Sequence, residues 1–324
     1  MLLGESNSGT LTSPDFAEQV YVPAAITDTG CERDLNEDRY AVIESPSGLA
    51  WLVCDGMGGT AGGELAAQLV IDAIRRDLEN LPQRPAEVAL RAAVQEANRI
   101  IVLRRQNRAF AQMGTTIVAA MFDGPEVIIG HVGDSRAYLI RDEAIQQLSV
   151  DHTYVQELVD KGQIRADEAL SHPQAHILTR CIGSEPALEV DTQRYWIWPP
   201  SASSKGDFLL LCTDGLYSLV SEGELATIIS QETPQSACVR LVELAKARGG
   251  FDNITLAIIP LRGQLQREAP PGLPVKRPSR ERRMTRNGVE STPRSVWKIF
   301  LIVAMLSVLS ALLTVLLVTL SLSR

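Results

Sequence analysis

Apolar residues in the body of this chain come in short bursts. LAWLVCDG, TTIVAAMFDG, VIIGHVGDS, AYLIRD, DFLLLCTDG and ITLAIIP are runs of strand length, rich in β-branched residues and closed by Gly, Asp or Pro. Some follow one another with only a turn between. TTIVAAMFDGPEVIIGHVGDSRAYLIRDEAIQQL predicts a meander, with turns at Asp123-Gly124-Pro125 and Arg141-Asp142-Glu143. Two longer stretches, about 63–80 and 85–107, carry the helical period and predict amphipathic helices. Shorter helices fit 153–161, 222–231 and 234–247, the last with Thr233 as N-cap and Pro234 at the first helical position. Strands and helices do not alternate as a doubly wound sheet requires. The expected class is therefore α+β, antiparallel sheets with helices outside them.

The pattern changes at both ends. Residues 1–19 are Ser/Gly/Thr-rich, lack a basic segment followed by an apolar one, and read as a flexible lead-in, not a secretory signal. Residues 299–322, IFLIVAMLSVLSALLTVLLVTLSL, hold no charge at all. As a helix they would be roughly 36 Å long, enough to cross a hydrocarbon core of about 30 Å. The expected organisation is a folded body over 20–260, a basic disordered linker over 261–295 and a transmembrane helix within 296–322. Arg277, Arg280, Arg282, Arg283, Arg286, Arg294 and Lys298 precede the span and only Arg324 follows it. The positive-inside bias makes this a tail anchor in the cell membrane with the body cytoplasmic. The linker's charge suits contact with anionic headgroups as well as it suits a soluble tether.

Charge sharpens the picture. Residues 1–260 carry 20 Lys+Arg against 36 Asp+Glu, whereas 261–298 carry 10 against 3. So acidic a body argues against nucleic acid as a partner and suits divalent cations. The five cysteines, Cys31, Cys54, Cys181, Cys212 and Cys238, show no zinc or disulfide spacing, and Cys54 and Cys212 sit in apolar runs as buried thiols. No Cys-x5-Arg spacing is present either.

The chemistry is in where the acids fall. Asp55 ends WLVC, Asp214 ends LLLCT, Asp134 follows HVG, Asp252 precedes ITLAII, and Glu37-Asp38 follow a loop carrying Arg33. Carboxylates at strand ends can converge on one sheet edge, the oxygen-rich environment hard divalent ions want. Each Asp-Gly pair alone is usually just a turn. Order and spacing add what the single motifs lack. TDTGCERDLNED over 27–38 and VCDGMGG over 53–59 resemble the first two motifs of the metal-dependent, type 2C protein phosphatases. MGTTIV, GHVGDSRAYLI, DHT, ILTRCIG, CTDGLYSLV and GGFDNIT follow in that family's order, so the resemblance covers about 24–260.

The resemblance implies a four-layer sandwich, two antiparallel sheets flanked by helices. It implies a protein serine/threonine phosphatase using two Mn2+ or Mg2+ ions and a weaker third, with a metal-activated water as nucleophile. Asp55 would bridge the two ions and Gly56 would lend a carbonyl. Asp214 and Asp252 would hold the first ion, Glu37 the second, and Asp134 with Asp214 the third. Asp38 would orient waters and Arg33 would grip the substrate phosphate. Partners would be phosphorylated proteins, including a serine/threonine kinase and its targets. Residues 153–175 match the family's flap, concerned with substrate choice. Thr115, Thr116, His131 and His152 read as structural.

One position departs. The family commonly has a histidine after DGMGG, as donor of a proton to the leaving oxygen. Here it is Thr60, and a hydroxyl is too weak an acid for that work. Metal-bound water supplies the proton, or a group such as His172 reaches in, or turnover is slow. The last case keeps a second reading, a phosphoprotein-binding pseudophosphatase.

Overall fold

The alternating bursts become two antiparallel sheets. The first has the order β1 (Ala24–Asp28), β12 (Ile254–Pro260), β11 (Phe208–Cys212), β8 (Arg136–Arg141), β9 (Ala144–Gln147). The second runs β13 (Gln264–Gln266), β10 (Asp191–Trp198), β7 (Glu126–Val132), β6 (Ile117–Asp123), β3 (Gly48–Cys54), β2 (Arg39–Ser45). A ribbon of β4 (Gly56–Met57) and β5 (Gly114–Thr115) completes the strands among the residues described in this computed structural model, which are 21–58, 62–199 and 206–269.

Period-2 alternation sorts these strands into layers. On β6, Ile117, Ala119 and Met121 face the helices α1 (Gly62–Asn80) and α2 (Ala86–Arg104), while Val118 and Ala120 face the other sheet. On β11, Leu209 and Leu211 enter the space between the sheets. Phe208, Leu210 and Cys212 point outward to α5 (Glu222–Gln231) and α6 (Pro234–Ala247). The result is helix, sheet, sheet, helix. Leu209, Leu210 and Leu211 have no exposed surface; burial of each is worth roughly 1.5–3 kcal/mol before chain entropy is counted. Burial also pushes the Cys54 and Cys212 thiols up from their ordinary pKa, so both stay protonated.

The turns fall where the sequence puts them. Gly124, at φ +60°, joins β6 to β7, and Asp142 and Glu143, at φ +47° and +65°, form the tight turn of the β8–β9 hairpin. Helix α6 starts as expected, with the Thr233 side chain accepting from the Ser236 N–H at 3.3 Å. Helix α2 stops at Arg104, short of the expected Asn107, because Asn107 instead caps a separate 3-10 turn over Arg108–Phe110.

The expected edge of the body at Pro260 needs correction. The chain runs on into β13, where Leu265 is buried and pairs with Ile197. The fully buried Asp207 carboxylate ties this segment down. It accepts from Arg141 at 2.8 and 2.5 Å and from the Leu265 N–H at 2.6 Å. A three-residue, mostly polar strand leaves no hydrophobic run to read, so the start of the basic linker belongs to the sheet. The lead-in 1–19 and the span 299–322 lie outside the described residues. Among those described, no helix is long and apolar enough to cross a membrane.

Candidate active site

Antiparallel register brings the acids together. The end of β3 lies beside the start of β2 (Cys54 opposite Arg39), and the end of β11 lies beside the start of β12 (Cys212 opposite Leu256). Asp55 and Asp214 therefore leave their strands at the same sheet edges where Glu37, Asp38 and Asp252 enter theirs.

The backbone at Asp55 and Glu37 is held by groups that are not acids. The Asp55 carbonyl accepts from the Thr115 hydroxyl at 2.7 Å and the Thr116 N–H at 2.9 Å, and the Asp55 N–H donates to the Thr116 hydroxyl at 3.1 Å. Thr116 also bonds Ser135, beside Asp134, at 2.6 Å. The two threonines, expected only as strand residues, thus fix the backbone of the central acid. Asn253 is a second unforeseen holder. Its oxygen accepts from the Glu37 N–H at 2.7 Å, and its amide donates to the carbonyls of Thr29 and Leu35 at 2.9 and 3.0 Å. One side chain therefore shapes the loop that carries Arg33 and Glu37.

Two glycines are required by close approach. A Cβ on Gly56 would stand 2.2 Å from the Gly63 carbonyl oxygen, and one on Gly63 would stand 2.5 Å from Glu37 Oε1. That gap lets the Gly63 N–H, in the first turn of α1, donate to Glu37 Oε1 at 3.1 Å. Arg33 is half exposed, and its Nη2 donates to Asp252 Oδ2 at 2.8 Å.

Electrostatics shows what the cluster lacks. Burial, then repulsion by Asp38, Asp214, Asp134 and Asp252, pushes Asp55 well above the carboxylate range. Asp38 is buried and pushed up to about 7 despite accepting from Thr213 at 2.9 Å. Asp134 is pushed up to about 8 by burial, Asp214 and Asp151. Asp214 is raised by burial and Asp252, and its Oδ1 is buried with no hydrogen-bond partner. Mutually repelling carboxylates, one oxygen orphaned, with Arg33 the one cation bonded to them among the described residues, fit divalent cations as the missing charge.

His131 and His152 stay apart from this cluster, as expected of structural residues. Their rings stack at 4.7 Å, and with Asp191 they offer three ligand atoms within 4.8 Å of one another. Arg180 already supplies the cation there, donating to Asp191 at 2.6 Å and lying 3.1 Å from His152 Nε2. Burial, the His131 ring and Arg180 pull His152 down to about 4 against the opposing pull of Asp191. His152 is therefore neutral at pH 7. A histidine titrates near 6.5 when unfolded, so its contribution to stability is full above that pH and is lost as pH falls towards 4. In urea titrations from pH 7.5 to 4.5, wild type should lose stability relative to His152→Asn as the pH drops. A constant difference between the two would count against a buried neutral imidazole.

Residues 153–175 form a flap on a clamped base. The Tyr154 N–H donates to Ile177 O at 2.8 Å, and the Thr179 N–H to His152 O at 2.9 Å. Its helix α3 (Tyr154–Asp160) is capped by Thr153. His172 folds back on its own chain, its Nδ1 accepting from the Gln174 N–H at 3.1 Å. His176 instead lines a cavity with Asp134 and Asp214, close enough for its charge to act on Asp214. Thr60 lies outside the described residues.

Comparison with known proteins gives one answer. The Protein phosphatase 2C family pattern matches residues 32–243. The Serine/threonine phosphatase stp of Listeria monocytogenes is 37% identical over 240 residues, covering 72% of this chain and 93% of that protein. The solved S. agalactiae serine/threonine phosphatase superposes with a TM-score of 0.69 at 32% identity, covering 75% of this chain and 100% of that one. The catalytic domain of serine threonine protein phosphatase PstP, solved in complex with 2 manganese ions, superposes at 0.64 with 33% identity, covering 74% and 97%.

Proposed function

Since the chain belongs to the protein phosphatase 2C family, we propose that its acid cluster binds two divalent ions and hydrolyses phosphoserine and phosphothreonine in proteins. It is a metal-dependent serine/threonine phosphatase of bacterial type, with Mn2+ or Mg2+ as cofactor. Asp55, Gly56, Asp214, Asp252 and Glu37 would hold two ions, and Asp134 with Asp214 a third. Bound there, the ions would lower the pKa of a water and polarise the phosphoryl group. The chain's own residues do the rest. Arg33, kept in place by Asp252, presents a planar fork to the phosphate. Asp38, held by Thr213, stands where it can orient a water or keep a proton.

The observation that carries this is the unpartnered, buried Asp214 oxygen among acids drawn from both sheets. The test is hydrolysis of a phosphothreonine peptide by the whole chain with and without Mn2+. Turnover with the ion and none in chelator is expected; equal rates in both would overturn the assignment. The second reading, a phosphoprotein-binding pseudophosphatase, has no observation in its favour.

The cellular setting is a further part of the proposal. The uncharged run 299–322 and its basic upstream flank support a single anchor in the cell membrane with the body in the cytoplasm. Phosphorylated proteins, among them a kinase and its targets, would then be met at that surface. Deleting everything after Ser295 should move the protein from the membrane pellet to the soluble fraction, and protease outside intact cells should leave the body whole. Cleavage of the body from outside would reverse the orientation.

A further inference from the structure

Between the flap and the body lies a cavity of about 370 Å3 that opens onto the acid cluster. Its two walls differ in kind. The flap contributes apolar surface, chiefly Val155, Val159 and Leu170. The body contributes charge, and part of it is matched within the wall. Arg136 donates twice to Asp151 Oδ2, at 3.0 and 2.6 Å, and once to Oδ1 at 3.0 Å. It also donates to the Tyr138 hydroxyl at 2.8 Å and lies over the Tyr217 ring at 3.8 Å. Asp151 takes a further bond from Gln147 at 2.9 Å. Asp134 and Asp214 belong to the metal cluster at one end, where His176 acts on Asp214.

That leaves Glu222, the first residue of α5, which lines the cavity. Among the described residues no donor pairs with its carboxylate. The cavity therefore offers an apolar wall and a free negative charge beyond the reacting phosphate. The side chains that satisfy both are lysine and arginine, with an apolar stem and a cationic head.

Resting on the phosphatase assignment above, we infer that this cavity selects substrates with a lysine or arginine near the phosphorylated residue, its stem against the flap and its head on Glu222. The flap and α5 would together set this preference, with no part in the chemistry.

The experiment compares matched phosphothreonine peptides carrying arginine, norleucine or glutamate at each position flanking the phosphate. Wild type, Glu222→Gln and Glu222→Lys are assayed as full chains with Mn2+. At one position wild type should favour arginine over norleucine in kcat/KM by about two- to fivefold, the range of a solvent-touched ion pair. Glu222→Gln should erase that preference and Glu222→Lys should turn it towards glutamate. Hydrolysis of p-nitrophenyl phosphate should be equal in all three proteins. Its presence shows the phosphatase assignment intact whatever the peptides do, and its loss in wild type would be a failure of that assignment instead. Norleucine matching arginine at every position would mean an apolar occupant and overturn the inference. So would an arginine preference that survives Glu222→Gln, which would come from the acidic surface as a whole.

Discussion

Asp55→Asn should abolish metal-dependent turnover, with a loss of about 10³-fold or more, since divalent ions supply several kcal/mol of charge stabilisation. The same variant should make the metal-free protein more stable. Asp55 is pushed up by burial and by four neighbouring aspartates, and an amide of the same shape relieves that repulsion. The sign with pH is fixed. A carboxyl whose folded pKa is raised contributes stability at low pH and loses it as pH rises through the folded value. Asp38, at about 7, and Asp134, at about 8, behave in the same way. In chelator, the gap in unfolding midpoint between Asp55→Asn and wild type should therefore widen from pH 5 to pH 8. Added Mn2+ should raise the midpoint of wild type far more than that of the variant. Full activity in Asp55→Asn, or a metal-free wild type that outlasts it at pH 8, would mean these carboxylates are not a cation site.

The second large effect concerns the proton for the leaving group. Thr60 stands five residues after Asp55 and three before Gly63, whose N–H holds Glu37. A phosphothreonine peptide leaves as a poor alkoxide and needs a proton; p-nitrophenyl phosphate leaves as a stabilised phenolate and hardly needs one. General acid catalysis is typically worth about 10²–10⁴-fold. Wild type should show a large preference for the aryl ester, and Thr60→His should raise peptide turnover well above any change in aryl turnover. Equal changes, or none, would place the donor elsewhere, in water at the ions or on His176 just after the flap, which acts on Asp214 as His172 does not.

Which parts of this structure were legible in the chain follows from which residues do one job. β3, β6, β7 and β11 are buried on both faces, so their apolar runs stand out. β10, DTQRYWIW, is half polar because Arg194 and Thr192 reach Glu87 on α2, and no run marks it. β1 and β2 are edge strands, and although burial alternates along β2, its exposed Tyr40 and Val42 are apolar too, so the sequence shows no period of two there. The acids were legible as candidates because they fall at the ends of apolar runs in the order of one family's motifs, although an Asp-Gly pair alone is usually just a turn. Thr115, Thr116 and Asn253 were not, since threonine in a strand and asparagine in a turn need no further reason. Their roles exist only once residues some 60 and 216 positions apart are neighbours.

The Asn253 amide makes the loop bearing Arg33 and Glu37 sensitive to one chemical change. Asparagine side chains hydrolyse slowly to aspartate, and at this position the change would be more than one added charge. The amide nitrogen that donates to Thr29 O and Leu35 O would become an oxygen. Two attractive contacts would turn into oxygen facing oxygen, beside carboxylates that already repel one another. The loop bearing Arg33 and Glu37 would lose two of its three bonds to this side chain and keep only the one from the Glu37 N–H. An ageing preparation should therefore accumulate molecules that are folded, one dalton heavier and inactive.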